Sequence, residues 1–105
     1  MVTAAELLAE ARNSRVKRVS IGRREFCLRK FPADIVMAIS KRAREGNPFT
    51  VAEWLEQGVC AEDGTPFFTP EQAVEFAEID GLTAVKLVDK LAGLSGYGED
   101  DAAKN

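Results

Sequence analysis

A chain of 105 residues, 46% hydrophobic and 30% charged, holds material for one domain with one modest core, and is neither a disordered nor a membrane-embedded composition. Its longest apolar run, Ile35-Val36-Met37-Ala38-Ile39, falls far short of the ~20 residues that a spanning helix needs. The net charge of −3 conceals a division: residues 1–46 carry 11 Lys+Arg against 5 Asp+Glu, whereas residues 47–105 carry 3 against 12. Such polarity suits a protein that meets partners with a charged face, or one that packs its own halves together by sign; simple solvation of both sets explains it equally.

Histidine is absent. That removes His-based triads, imidazole metal ligands and a general base that titrates near neutrality without help. Neither GxGxxG nor GxxxxGK[ST] occurs, and the carboxylates fall mostly on predicted exposed helix faces. An enzyme is not expected, and no cofactor or metal is implied. The start, MVTAAELLAEARNSR, carries two glutamates and no basic leader before an apolar stretch, so the expected location is the cytoplasm. Cys27 and Cys60 stand 33 positions apart without CxxC spacing and are expected as reduced, half-buried thiols.

Along the chain, Thr3-Ala4-Ala5-Glu6 forms a capping box that opens a first helix, with Leu7, Leu8 and Ala11 as a narrow apolar stripe and Asn13-Ser14 as its end. So short a helix persists only by docking onto something. In RVKRVSIGRREFCLRKF the period changes to two. Gly22-Arg23 as a two-residue type II′ turn makes a hairpin over about 16–30, opposing Ile21 to Arg24, Val19 to Phe26 and Lys17 to Leu28. Val19, Ile21, Phe26 and Leu28 then share a core face, leaving Arg18, Ser20, Glu25, Cys27 and Arg29 on a polar one.

After Phe31-Pro32, ADIVMAISKRAREGN reads as a helix that buries Ile35, Val36, Ile39 and Ala43, with Lys41, Arg42 and Arg44 complementing its C-terminal dipole. Thr50-Val51-Ala52-Glu53 is a second capping box, with Phe49 placed to staple near Trp54; Val51, Trp54, Leu55 and Val59 follow at helical spacing. Asp63-Gly64 is a turn, Thr65-Pro66 is extended, and Phe67-Phe68 are expected to enter the core together with Trp54. Thr69-Pro70-Glu71-Gln72 starts another helix through a third capping box, turning Val74, Phe76 and Ala77 inward. Asp80-Gly81 breaks it, and a last helix over about 82–94 buries Ala84, Leu87, Val88, Leu91 and Leu94. The remainder, 96–105, is acidic and glycine-bearing and is expected to be a disordered tail behind a single domain at 1–95. The fold class expected is mainly α within α+β: an N-terminal helix, one hairpin and about four short packed helices.

A family resemblance rests on the order of these pieces. A short hairpin precedes helices, then come C-x-E-D-G-T-P-x-F-T-P-E at 60–71, Asp80-Gly81-Leu82, an apolar helix ending LAGLSG, and a charged tail closing in Lys104-Asn105. Over residues 16–105 this resembles the tail assembly chaperones of long-tailed bacteriophages and prophages; the N-terminal helix has no part in it. The resemblance implies a non-catalytic protein of the host cytoplasm, absent from the virion. It would keep the long helical tape measure protein soluble and recruit tail tube subunits, alongside a longer frameshifted product for which the Lys104-Asn105 codons are the candidate slip site. No binding residue transfers from the family.

From the residues alone, the partner-binding candidates are the hairpin cations Arg18, Arg23, Arg24, Arg29 and Lys30. A DNA-binding role for this basic ribbon is the alternative, but aromatic interleaving on its polar face is missing and the chain is acidic, so neither nucleic acid nor membrane is expected. A helix-turn-helix at Thr50 would aim Glu53 and Glu56 at phosphates. A small head–tail adaptor has the same size and composition, and self-association is left open.

Overall fold

The computed structural model describes residues 1–96. The elements run α1 (Ala4–Asn13), β1 (Val16–Ile21), β2 (Arg24–Arg29), α2 (Ala33–Arg44), α3 (Val51–Gly58), β3 (Val59–Cys60), α4 (Pro70–Ile79) and α5 (Gly81–Leu94), a mixed α+β fold with the antiparallel sheet order β1-β2-β3. No helix among the described residues is long and apolar enough to cross a membrane. The tail expected from residue 96 lies, from residue 97 onward, outside the described residues.

Local chemistry sets most boundaries. All three threonine capping boxes form: the Thr3, Thr50 and Thr69 hydroxyls accept from the Glu6, Glu53 and Gln72 amides at 3.1, 3.1 and 3.2 Å. Asp80 is both the end of α4 and the N-cap of α5, where its Oδ1 accepts from the Thr83 amide at 3.2 Å. One residue thus turns a full corner between two helices. The hairpin has the predicted register throughout. Gly22 has φ +63° and no non-glycine residue among the described ones has positive φ, the sign pattern of a type II′ turn and not of type I′.

The core gathers Leu28, Leu55, Val59, Ala73, Ala84, Leu87 and Leu91, all fully buried or nearly so, with Val19, Ile21 and Phe26 packed against it from the same face of the hairpin. α3 packs on α4 and α5, and α5 also reaches β1. Small residues let these backbones come close. An added Cβ at Gly58 would stand 2.4 Å from Leu91 Cδ2 and 2.5 Å from Cδ1. α2 joins through Ile39 and Arg42, and just ahead of it the Phe31 ring lies 5.4 Å from that of Trp54. The Arg42 guanidinium lies 4.7 Å over the Phe49 ring and holds the Glu53 carboxylate through both terminal nitrogens, with Nη2 to Oε1 at 3.0 Å.

Several expectations need correction. α3 stops at Gly58 because Val59 leaves the helix as an extended C-cap (φ −84°, ψ 128°) and, with Cys60, forms a third strand beside β2. Residues 59–67 fold into a tight return: the Gly64 amide donates to Ala61 O at 2.9 Å, Ala61 to Thr65 O at 2.8 Å, and Phe67 to Val59 O at 3.2 Å. Phe67 and Phe68 therefore follow an extended segment in which neighbours face opposite ways, so they cannot both enter the core. Phe67 is 56% exposed, and Phe68 and Trp54 are half-buried. Val74 and Ala43 are exposed as well, with Ala73 taking the buried place on α4. Residues 4–13 of α1 are exposed without exception, so the docking expected of that helix does not occur onto the described residues.

Two outcomes follow. Gly58→Ala should cost about 1–3 kcal/mol in urea unfolding, since the buried Leu91 has nowhere to retreat. Gly93→Ala, in helix α5 with no atom within 4 Å of the new Cβ, should instead stabilise by about 0.5–1 kcal/mol. The second outcome concerns acid. Hydrogen bonding from Arg42 holds the Glu53 carboxyl at about 2, down from its ordinary 4.5, and hydrogen bonds from Thr65 and Thr83 lower Asp63 and Asp80. A carboxyl depressed on folding contributes stability above its unfolded pKa that disappears as pH falls through the folded one. The urea midpoint should therefore be highest above about pH 5 and decline toward pH 2. In Glu53→Gln that decline should be shallower.

Candidate functional site: an aromatic groove beside an open strand edge

The five hairpin cations do not form one surface. Arg18 pairs with Glu62, and Arg24 Nη2 lies 3.1 Å from Asp80 Oδ2. Arg29 is half-buried and donates to the Gln57 carbonyl at 2.5 Å and to Gln57 Oε1 at 3.2 Å, while Lys30 Nζ reaches Ser14 Oγ at 3.3 Å. Arg23 sits in the turn, and its side chain makes no ion pair or hydrogen bond with another described residue. All three ion pairs among the described residues, Arg18–Glu62, Arg24–Asp80 and Arg42–Glu53, join a cation from residues 1–46 to a carboxylate beyond them. Three of the eleven cations in residues 1–46 thus pair across to the acidic part of the chain.

The concave surface lies elsewhere. Along β2, β3 pairs with Cys27 and Leu28 alone, so among the described residues β2 continues from Phe26 to Arg24 with no third strand alongside. Beside this edge opens a cavity of about 530 Å³ whose apolar wall is Phe26, Cys27, Cys60, Phe67, Phe68 and Phe76, with Arg18, Arg24, Glu25 and Glu62 around it. A second hollow of about 390 Å³ is lined by Phe67, Phe68, Gln72, Glu75, Phe76 and Ile79. Phe67, Phe68 and Phe76 belong to both, so the two read as one groove running from the strand edge onto α4. The rings are organised: Phe67 meets Phe68 edge-on at 5.0 Å, and Phe68 lies 5.3 Å from Phe76. Ile79, at 76% exposure, ends the groove.

At its floor, Cys27 and Cys60 stand directly opposite across β2 and β3. Both are free thiols; burial pushes the Cys60 thiol up, and the neighbouring Cys27 adds to the effect. Among the described residues, no three His, Cys, Asp or Glu side chains gather as a metal site.

Sequence reasoning missed the groove because it assigned Phe67 and Phe68 to the core. The signal was there in the spacing of Phe67-Phe68 from Phe76, but only the return of the chain along β3 decides which ring turns outward. Arg18 and Arg24 are the two sequence candidates that border it. No protein-family model, curated protein or solved structure matches this chain.

Because Phe67 is mostly exposed, Phe67→Ala should cost no more than about 1 kcal/mol, the loss of one edge-on ring pair. Leu28→Ala, in the fully buried core, should cost about 2–5 kcal/mol in the same urea titration.

Proposed function

We propose that this protein is a non-catalytic tail assembly chaperone, which holds the tape measure protein of a long-tailed phage or prophage in the host cytoplasm and passes it to tail tube subunits. The observation that carries the reading is the aromatic surface: two adjoining hollows that share Phe67, Phe68 and Phe76, one beside the β2 edge and one reaching Ile79. Clustered phenylalanines framed by charged residues are the usual anchor points for another protein chain. A groove bounded by a helix and a sheet edge takes an amphipathic helix readily, and a long helical protein offers many. The order of motifs at 60–71, 80–82 and 91–96 supports the family assignment independently of the groove. The internal engagement of Arg18, Arg24 and Arg29 leaves less free cation for phosphates than a DNA-binding ribbon needs.

Co-expression with a long helical tape measure protein, sought directly downstream of the gene, should raise that protein's solubility, and the two should co-purify. Phe67→Glu should retain the parental unfolding midpoint to within about 1 kcal/mol yet lose the complex. Unchanged partner solubility together with no complex on gel filtration would sink this reading in favour of a head–tail adaptor. A salt-sensitive complex with duplex DNA would sink it in favour of a nucleic-acid binder.

A further inference from the structure

The two cysteines of the chain are brought face to face by the sheet: Cys27 of β2 opposes Cys60 of β3. Opposed residues of an antiparallel pair project to the same side of the sheet. Both are free thiols, and both line the larger hollow of the groove. The ladder fixes their separation. Ile21 and Arg24 flank the two-residue turn and exchange hydrogen bonds, and bonded pairs alternate from there through Val19–Phe26 and Lys17–Leu28. Cys27 therefore turns its amide and carbonyl away from β1, toward β3. On the far side of β3, Val59 O accepts from Phe67 N and Ala61 N donates to Thr65 O, which leaves the main-chain groups of Cys60 facing β2. Cys27 and Cys60 are thus a hydrogen-bonded pair.

Such a pair holds its Cα atoms about 5.5 Å apart, inside the ~4.4–6.8 Å span of disulfides. Its Cβ atoms stand at about 5.5 Å, beyond the ~3.5–4.5 Å of a relaxed bridge. A disulfide can close here with the ladder intact, but closing strains it, and a strained disulfide is readily reduced. Access to the two sulfurs is unequal. Cys60 is 3% exposed and Cys27 is half-buried. Burial, reinforced by the neighbouring Cys27, raises the Cys60 thiol and keeps it protonated. An oxidant entering from the groove meets Cys27 first. We propose that Cys27 and Cys60 form a reversible dithiol–disulfide couple, oxidised by a low-molecular-weight disulfide of the glutathione type, that staples β3 to β2 at the floor of the groove.

The Cys27 sulfur, as thiolate, attacks one sulfur of the external disulfide; a mixed disulfide forms on Cys27, and the first small thiolate leaves and takes up a proton. Cys60 then gives up its proton, its sulfur attacks Cys27 Sγ, and the second small thiol departs. Two protein thiols are oxidised, one external disulfide is reduced to two thiols, and excess thiol runs the sequence backward. The bridge bears on the groove wall. Cys60 also bridges to Pro66, and Phe67 N donates to Val59 O at 3.2 Å, so the return that carries the exposed Phe67 ring is tied to Cys60. Oxidation draws the two Cβ atoms together by about 1–2 Å and tightens the seam from which that return hangs. The inference stands on the cysteine pairing, whatever the groove receives.

Equilibration of the folded full chain in glutathione buffers of stepped reduced-to-oxidised ratio, then acid quench, alkylation and mass spectrometry, tests it. In the oxidised buffers the parent should lose two hydrogens, accept no alkylating label and run as a single chain without reductant. Its Cys27 and Cys60 tryptic peptides should be found joined. Reduced glutathione in about hundredfold excess should return both thiols. Cys60→Ala should stop at the mixed disulfide on Cys27. Cys27→Ser should take up glutathione at least about tenfold more slowly, because its remaining thiol is buried. A parent that keeps two alkylatable thiols in every buffer overturns the proposal. So does one that stops with glutathione on Cys27, or that links chain to chain. A bridge that survives the reducing buffer overturns its reversibility, and equal uptake by the two variants overturns the order of attack. Should Cys60→Ala unfold in urea well before the parent, the label count and the joined peptides of the parent decide alone.

Discussion

The approach of Gly58 to Leu91 is the constraint on which the rest of the molecule depends. With no side chain at residue 58, the end of α3 lies against α5 at a separation that even a methyl group would violate. The chain leaves that contact directly into Val59, whose side chain is buried opposite Leu28, and this pairing stitches the hairpin to the helices. Two residues of strand are a short seam, but both lie in the core, where each lost contact is felt in full. Had α3 run one turn further, β2 would be an edge strand along its whole length. As it is, the edge is open only from Phe26 to Arg24, beside the groove.

Charge does a different job from the one its distribution first suggests. A cationic N-terminal half and an acidic C-terminal half invite the picture of a protein reaching outward. The side chains instead reach across the molecule: Arg18 to Glu62, Arg24 to Asp80, Arg42 to Glu53, and Arg15 and Arg29 to main-chain carbonyls. Singly, the exposed pairs Arg18–Glu62 and Arg24–Asp80 contribute little. Their value here is registry: they set the hairpin against the 61–65 return and the α4–α5 corner, and so shape the groove walls. Asp80 shows the economy of this, with one oxygen capping α5 and the other accepting from Arg24.

The consequence is a surface whose attraction is apolar and whose discrimination is electrostatic. Phe67, Phe68 and Phe76 provide ring area in a fixed arrangement, while Arg18, Arg24, Glu25, Glu62 and Glu75 frame it with charge of both signs. Such a site is tolerant of sequence and selective for amphipathic pattern. That combination is what the proposed function asks of the groove, a surface that receives an amphipathic helix.

Local rules carried the reading of this sequence a long way. The three threonine boxes, the Gly22 turn, the hairpin register, the Asp80 corner and the α5 core positions all follow from contacts within a few residues, where capping, turn chemistry and side-chain period leave little choice. Long-range geometry decided the remainder. Whether Val59 ends a helix or starts a strand depends on β2 being present to receive it. Whether Phe67 or Phe68 faces inward depends on the path of the return along β3. Whether Leu7 and Leu8 find cover depends on the direction in which α1 departs from β1, which the Lys30 amide helps fix by donating to Arg15 O at 2.9 Å. Composition could show that apolar side chains exist in excess of one small core, but not which of them the core would refuse. Burial is a property of the assembled surface, and the aromatic groove is made of the residues left over once the core was full.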